Sequence, residues 1–268
     1  NPVSQNEIAY IDLDGTKLMA EVIKVIGKNV YVQVFENTRN LKVGAPVEFA
    51  GHMLEVVLGP GLLSRDLDKM EGIFLKRGQY TYPLDEDVLW DFEPLAEVGD
   101  KVTAGSWLGK VEENHQPHKI MVPFVMTGEY TVKSIVPKGK YTIHQTIAVV
   151  EDHEGKETEI TMVQKWPVKI PLTAYREKPR PYKLLETGVR IIDTLNPIVE
   201  GGTGFIPGAF GTGKTVLQHA ISRQAEADIV VIAACGERAN EVVEIFTDFP
   251  KLIDPHTGRK LIERTIIV

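Results

Sequence analysis

The residues best suited to chemistry lie between 208 and 216, where the sequence fits the pattern G-x-x-x-x-G-K-[ST]. Glycines in such a loop let backbone N–H groups point at a polyphosphate with no side chain in the way. Lys214 is predicted to reach the β- and γ-phosphates, and Thr215 to place its hydroxyl on a magnesium ion. The predicted phosphate-binding residues are Gly208, Ala209, Phe210, Gly211, Thr212, Gly213, Lys214, Thr215 and Val216.

A loop of this kind requires a strand before it and a helix after it. The sequence has both patterns, because residues 203–207 have the character of a short strand and residues 216–224 carry apolar side chains at helical spacing. The apolar run at 228–234 predicts a parallel strand that is covered on both faces. Glu237 and Arg238 follow the carboxyl end of this strand, which is the edge where open α/β sheets bind ligands.

The sequence after Arg238 predicts one more helix and one more strand. Asn240 is expected to cap a helix that runs through Phe249 and ends at Pro250. Residues 264–268 have the character of another buried parallel strand. Such a strand needs neighbours and covering helices, so we expect the 268 residues to be part of a longer polypeptide.

The composition narrows the class of protein. Hydrophobic residues make up 43% of the 268 positions and charged residues 25%, which is usual for a soluble globular protein with two or three domains. The net charge of −7 gives no electrostatic reason to expect binding of nucleic acid, and no apolar run is long enough to cross a bilayer. Cys235 is the only cysteine; it fits a reducing compartment and is expected to be a small buried side chain.

The sequence before residue 184 is rich in strand formers. Residues 8–63 predict short strands, with a hairpin at Gly27, that close into a small β-barrel. A second β-rich block follows, with predicted strands at 129–136, 142–150 and 158–163.

Two connectors are predicted, at 64–78 and in the proline-rich basic stretch 167–181. The fold class is therefore multidomain. The predicted domains are an N-terminal β-barrel at 1–72, a β-rich inserted domain with its linker at 73–183, and the first part of a phosphate-loop α/β domain at 184–268.

Two features of the second block could carry chemistry of their own. His115 and His118 would suit a metal if a helix carried them, but the Asn, Gln and Pro around them favour a solvated turn. The turn pattern is similar to that of lipoyl and biotinyl carrier domains, in which a tight hairpin presents a lysine, and Lys119 is a loose match. A structural module is the favoured interpretation, because similarity of fold does not bring function with it.

Taken together, these residues resemble the catalytic A subunits of the V-type and archaeal-type rotary ATPases, from about residue 8 to residue 268. The resemblance is most specific at 164–168, at 187–195, in the phosphate loop with its Phe210, and at 235–241. It implies an N-terminal β-barrel, an inserted bulge domain and a RecA-like nucleotide-binding domain. The sequence departs from the family at Ala209, where proline is usual, and at 64–72, which lacks the usual Asp-Gly and Pro-Leu pairs.

The resemblance also implies roles for individual residues. ATP or ADP with Mg2+ would be bound by the phosphate loop, with Lys214 at the phosphates and Thr215 at the metal. Glu237 matches the glutamate that polarises the attacking water, and Arg238 matches the arginine beside the γ-phosphate, so both would be catalytic together with Lys214. The alternative for Glu237 and Arg238 is an ion pair at the surface that opens a helix.

The implied activity is ATP hydrolysis coupled to proton or sodium transport by a two-sector ATPase. Non-catalytic B subunits would alternate with this subunit in a hexamer, with central-stalk and peripheral-stalk subunits as further partners. The subunit would be cytoplasmic, would meet the membrane only through the ion-translocating sector, and would bind no nucleic acid. The 268 residues alone are expected to hydrolyse nucleotide negligibly.

Two other functions remain open from the sequence. A Rho-like hexameric motor would need a basic surface with aromatic residues near the N-terminus, where this sequence is acidic in balance. A non-catalytic regulator would use the loop only to sense nucleotide. Glu237 distinguishes the regulator from an enzyme, because only turnover needs a residue that orients water.

Overall fold

The structure is a computed structural model that describes residues 2–63, 77, 78, 80, 82–173, 175, 177–209, 211–236, 238, 243, 245 and 247–267. The chain divides into two compact units. The first takes in 1–60, 66–111 and 119–174, and the second takes in 61–65, 112–118 and 175–268. No helix among the described residues is long and apolar enough to cross a membrane.

The first unit begins with four antiparallel strands, β1 Glu7–Leu13, β2 Thr16–Ile26, β3 Asn29–Val34 and β4 Val47–Met53. They form one sheet in the order β3-β2-β1-β4. Asp14 and Gly15 connect β1 to β2 with φ angles of 51° and 89°, as the tight turn of a two-residue hairpin requires. The hairpin predicted at Gly27 is confirmed, since Ile26 in β2 faces Asn29 in β3.

The chain continues in β-structure after this sheet. The next strands are β5 Glu55–Leu58, β6 Trp90–Pro94, β7 Lys101–Val102, β8 Trp107–Glu113, β9 Gln116–Met121, β10 Tyr130–Ile135, β11 Gly139–Tyr141, β12 Ala148–Glu151, β13 Glu157–Ile160 and β14 Gln164–Pro167. They belong to the first unit except for the end of β8 and the start of β9, within 112–118, which belong to the second. Two four-stranded sheets result, with the orders β13-β12-β10-β7 and β11-β6-β8-β9. β5 pairs with β14, so the segment after the first sheet is joined to the segment after the second block.

The strand predicted at 129–136 is confirmed as β10, and the start of the one predicted at 158–163 is confirmed as β13. Three other predictions for this block are corrected. Only the end of the strand predicted at 142–150 is a strand, which is β12. The start of that segment is a turn instead, because the amide of Thr142 donates to the side chain of Gln145 at 2.7 Å. His115 lies in the turn after β8, but His118 lies in β9 and not in a loop. Lys119 is likewise within β9, away from the hairpin tip, with its ammonium 4.7 Å from the centre of the Trp107 ring.

The core of the second block lies between strands of both sheets. Its buried residues are Ala96, Val102, Leu108, Val122, Val132, Ala148, Val150 and Ile160. Phe92 in β6 is also fully buried, and Gly109 in the neighbouring β8 lies against its ring. A Cβ at position 109 would overlap that ring and would lie 2.9 Å from the carbonyl oxygen of Glu93. The close approach of β8 to β6 therefore depends on glycine.

The second unit holds the helical part of the chain. Its elements are β15 Leu184–Leu185, α1 Arg190–Leu195, β16 Ile198–Val199, α2 Lys214–Gln224, β17 Val230–Ile232, a 3-10 helix at Phe249–Lys251, a second at Leu261–Arg264, and β18 Thr265–Ile267. β17 and β18 are parallel, with Val230 facing Thr265. Ile232, Phe249 and Leu261 form the buried cluster beside them. The helix and parallel strands predicted from the sequence are thus confirmed, although both strands are shorter than predicted.

Three predictions for the second unit are wrong or incomplete. Residues 203–207 form no strand, and the Phe205 side chain is 87% exposed. Val231 in β17 is 63% exposed, so the strand is not covered on both faces. The physical reason is shared: a parallel strand is buried only when it has neighbours and helices around it, and the described residues pair β17 with β18 alone. Residues 243, 245 and 247 are helical as predicted, and Asn240 lies outside the described residues. The helix does not run through Phe249 to Pro250, because residue 248 is a turn and both residues belong to the 3-10 helix Phe249–Lys251.

We expect Gly109→Ala to lower the free energy of unfolding by about 1–3 kcal/mol, because the added methyl group overpacks the contact with Phe92. The measurement is urea denaturation followed by tryptophan fluorescence. Phe92→Leu is the matched background, since it removes the ring that the methyl group meets. The cost of Gly109→Ala should shrink in that background; equal costs in both backgrounds would contradict the proposed contact.

Candidate functional site

The loop that precedes α2 has the backbone geometry of an anion-binding turn. Gly211 and Gly213 have φ angles of 76° and 84°, a region that residues with a side chain rarely enter. Gly213 is left-handed and serves as the N-cap of α2, so Lys214 is the first residue of the helix. Left-handed residues placed between right-handed ones turn successive N–H groups to one side of the chain. The two glycines thus allow the amides of the loop to converge.

The loop is held closed by contacts within itself. The hydroxyl of Thr212 donates to the carbonyl oxygen of Ala209 at 2.7 Å. A Cβ added to Gly208 would lie 2.5 Å from Thr212 Oγ1 and 3.5 Å from Lys214 Cδ, so position 208 closely approaches both residues. A glycine is needed there for steric reasons and not for its φ angle. Gly208 therefore brings the start of the loop against its end.

Among the described residues, no side chain acts as an acceptor at the N-terminus of α2. No side chain caps it, and no acidic residue lies in its first turn. Among the residues that the structure describes, no carbonyl accepts a hydrogen bond from the amides of Gly211, Thr212 or Gly213. Unpaired N–H groups together with the positive end of the helix dipole attract an anion. This donor set fits a phosphate group.

The side chains that the sequence assigns to this site are placed as follows. Lys214 is exposed at the first position of α2, and Thr215 beside it is half-buried. A single hydroxyl suits Mg2+, which is usually held by few protein ligands together with phosphate oxygens. No group of three His, Cys, Asp or Glu side chains able to hold a metal occurs in the described part of the chain.

The remaining predicted site residues are Phe210 in the phosphate loop, and Glu237 and Arg238 in the sequence after β17. Arg238 is described and exposed, whereas Phe210 in the loop and Glu237 lie outside the described residues. The expectation that Cys235 is buried is wrong, because its side chain is exposed. The cause is again the short β17, which ends at Ile232 and leaves residue 235 beyond the paired part of the strand.

A buried ion pair that the sequence patterns did not indicate supports this site from the far end of α2. Asp254 and Arg264 have side chains only 3% and 9% exposed, with Arg264 Nε 3.0 Å from Asp254 Oδ2. Arg264 also donates to the carbonyl oxygen of Ala227. His256 Nε2 donates to the carbonyl of Gln224, the last residue of α2, at 3.0 Å. The only sequence signal was Asp254-Pro255, which favours a turn but does not reveal its partner.

The hydrogen bonds around Asp254 keep it ionised. Burial alone would raise the pKa of its carboxyl group, but the His256 amide, the Thr257 hydroxyl and the charge of Arg264 outweigh burial and hold the pKa below its usual value. The donors lie 2.9 Å and 3.0 Å from the two carboxylate oxygens. The carboxylate is therefore the centre of the loop between the two 3-10 helices.

A second buried carboxylate explains the position of His118. Glu113 is 2% exposed, and its Oε1 accepts hydrogen bonds from the amides of Gly61 and Leu63, both at 2.8 Å. His118 Nδ1 lies 2.7 Å from Glu113 Oε2. His118 thus partners a carboxylate, and His115 lies 3.3 Å from Glu112 at the surface. The two histidines do not converge on a common ligand position.

Comparison with known proteins agrees with the order of these elements. The model of the ATP synthase alpha/beta family beta-barrel domain matches residues 3–51. The model of the ATPsynthase alpha/beta subunit barrel-sandwich domain matches 81–169, and that of the family's nucleotide-binding domain matches 188–268. The three ranges together take in most of the chain. The chain therefore belongs to the ATP synthase alpha/beta family.

Within this family, the chain is similar to V-type ATP synthase alpha chains. It is 49% identical to those of Borrelia garinii subsp. bavariensis and Treponema denticola, over 99% of its own length and 48% and 47% of theirs. It is 46% identical to that of Chlamydia caviae, over 99% of its own length and 46% of the relative's. The chain spans about half the length of the curated relatives that it matches.

We expect Asp254→Asn to lower the free energy of unfolding by about 3 kcal/mol at pH 7, because Arg264 then remains buried without a counter-charge. The pKa of Asp254 is lowered on folding, so its contribution is present above the unfolded value, about 4, and is lost as the pH falls through the folded value. The stabilities of wild type and variant should therefore converge at acid pH, measured by urea denaturation at a series of pH values.

Asp248→Asn is the matched control, since Asp248 pairs with Lys251 at the surface and both side chains are exposed. It should cost less than about 1 kcal/mol at any pH. Equal costs for Asp248→Asn and Asp254→Asn at neutral pH would contradict the role given to the buried pair.

Proposed function

We propose that the chain supplies the phosphate-binding part of a catalytic subunit of a V-type rotary ATPase. One observation carries the proposal: the amides of Gly211, Thr212 and Gly213 donate to no carbonyl among the described residues and lie at the N-terminus of α2, next to Lys214 and Thr215. Family membership and the names of the relatives support it, because those relatives are V-type ATP synthase alpha chains. ATP or ADP with Mg2+ is the proposed ligand.

The proposed roles follow from the chemistry of each group. The loop amides bind the β- and γ-phosphate oxygens, and Lys214 adds a positive charge at the position where negative charge develops during transfer. Thr215 places its hydroxyl where a magnesium ion would sit; when bound, Mg2+ would neutralise phosphate charge. Glu237 is proposed to orient the attacking water as a general base, and Arg238 to lie beside the γ-phosphate.

The relatives suggest the wider assembly. We propose that the subunit alternates with non-catalytic B subunits in a hexamer with central and peripheral stalks, and that hydrolysis drives proton or sodium transport. Its proposed location is the cytoplasmic side of a membrane, which it meets only through the ion-translocating sector. The proposed domains are 1–72, 73–183 and 184–268. The 268 residues alone are proposed to bind nucleotide without appreciable turnover, so binding is the first test.

We expect Lys214→Ala to weaken the affinity for MgADP by roughly a hundredfold, because it removes a charge-assisted hydrogen bond to phosphate. Isothermal titration calorimetry of the 268-residue chain measures the affinity directly. Lys260→Ala is the control, since Lys260 is an exposed lysine of the same unit and its loss changes the net charge equally. If both variants lose affinity to the same extent, Lys214 acts only through net charge and the proposed site is wrong.

We expect Glu237→Gln, in the full-length subunit assembled with its partners, to reduce ATP turnover by about a thousandfold while the affinity for nucleotide changes little. The amide keeps the size of the side chain but cannot accept a proton from water. The measurements are a coupled ATPase assay and nucleotide titration on the same sample. Retained turnover would show that Glu237 is not the general base, and lost affinity would show that its role is in binding.

A further inference from the structure

Asp193 in α1 is surrounded by donors from the segment that precedes the helix. Its Oδ1 accepts hydrogen bonds from the Thr187 hydroxyl at 2.6 Å and the Thr187 amide at 3.0 Å, and its Oδ2 accepts one from the Gly188 amide at 3.1 Å. Thr187 is completely buried. The Thr187 hydroxyl, followed by the two amides, holds the pKa of Asp193 below its usual value. The carboxylate thus fixes the conformation of residues 187 and 188.

The segment fixed by Asp193 lies against the C-terminal end of α2. Gly188 has a φ angle of 70°, and a Cβ there would lie 2.5 Å from Gln224 Oε1 and 2.8 Å from Gln224 Cβ. The amide of Glu226, two residues beyond α2, donates to the carbonyl of Glu186 at 3.2 Å. Residues 186–188 therefore contact the end of α2 through a hydrogen bond and through a packing contact that only glycine permits.

The opposite end of α2 carries the phosphate loop. Gly213, Lys214 and Thr215 form its N-terminus, and its 11 residues make a rod about 16 Å long. The described part of α2 contains no fully buried residue, so discrete contacts position it. Along the helix, the His219 ring packs against the Phe249 ring with centroids 5.6 Å apart, and Arg223 Nε donates to the Ile253 carbonyl at 3.1 Å. Other contacts lie at its C-terminal end. The contact of Gly188 with Gln224 is one of these.

We propose that Asp193 is a positioning residue: by fixing Thr187 and Gly188 against Gln224, it holds α2 and thereby the orientation of the phosphate loop. The inference about the loop rests on the proposed function, whereas the inference about the helix does not. Asp193 touches no reacting atom, so its effect passes through α2. The simpler alternative is that Asp193 stabilises only α1, in whose first turn it lies.

The test combines two measurements on the 268-residue chain. Amide hydrogen exchange reports the opening of α2, and calorimetric titration reports the affinity for MgADP. Asp193→Asn replaces one carboxylate oxygen by an NH2 group that faces donors, so exchange at 217–224 should become about tenfold faster and MgADP affinity about tenfold weaker. Exchange in β1 and β2 of the first unit should not change. Asp228→Asn, at an exposed aspartate after α2, is the matched control and should change neither measurement.

Two variants of Thr187 distinguish a positioning role of Asp193 from a general loss of stability. Thr187→Val keeps the size of the side chain but removes the hydroxyl donor, and should reproduce the effect of Asp193→Asn. Thr187→Ser keeps the donor and should restore exchange and affinity to within about twofold of wild type.

Two results would overturn the inference: faster exchange confined to 190–195, with α2 unchanged, or weaker affinity without faster exchange in α2. If wild type binds no MgADP while Asp193→Asn still speeds exchange in α2, the proposed function fails but the positioning role of Asp193 stands.

Discussion

The phosphate loop can close only because position 208 carries no side chain. A Cβ there would lie 2.5 Å from the Thr212 hydroxyl, which itself donates to the carbonyl of Ala209. Gly211 and Gly213 have left-handed conformations, and Gly213 is the N-cap of α2 with no capping side chain. These steric constraints leave the N–H groups of Gly211, Thr212 and Gly213 at the positive end of a helix, with no carbonyl acceptor among the residues that the structure describes. The combination favours an anion at this point, and Lys214 adds the charge that makes phosphate the best match.

Two hydrogen-bonded carboxylates, the buried Asp254 and the half-buried Asp193, organise the second unit around that helix. Asp254 is enclosed by two donors and by Arg264, and the same loop reaches Gln224 through His256. Asp193 fixes the segment that meets Gln224 from another element. The two carboxylates therefore act on the same end of α2. Lys251 and Asp248 form an ion pair of similar length at the surface, where water screens it, so it is expected to contribute far less to stability.

The sequence was most informative where local rules determine the structure. The hairpin at Gly27, the helix after the phosphate loop and parallel strands within 228–234 and 264–268 follow from turn chemistry and periodicity, and all are present as β2 with β3, α2, β17 and β18. That β17 and β18 pair with each other was not predicted. The strand expected at 203–207 is absent, and Cys235 is exposed, because burial of a parallel strand depends on neighbours that no local pattern specifies. The partners of Asp193 and Asp254 were missed for a related reason. A carboxylate in a sequence gives no sign of which distant amides will surround it, whereas the glycines of the phosphate loop are recognisable from their spacing alone.

The most direct test of the account is an amide NMR titration of the 15N-labelled 268-residue chain with MgADP, in which each backbone N–H reports its own environment. We predict that the largest shifts occur at Gly211, Gly213, Lys214 and Thr215, whose amides would meet the phosphates, and that strands β1 and β2 are unaffected. Saturable binding with unchanged signals for these four residues would contradict it, because the nucleotide would then be held somewhere other than the N-terminus of α2.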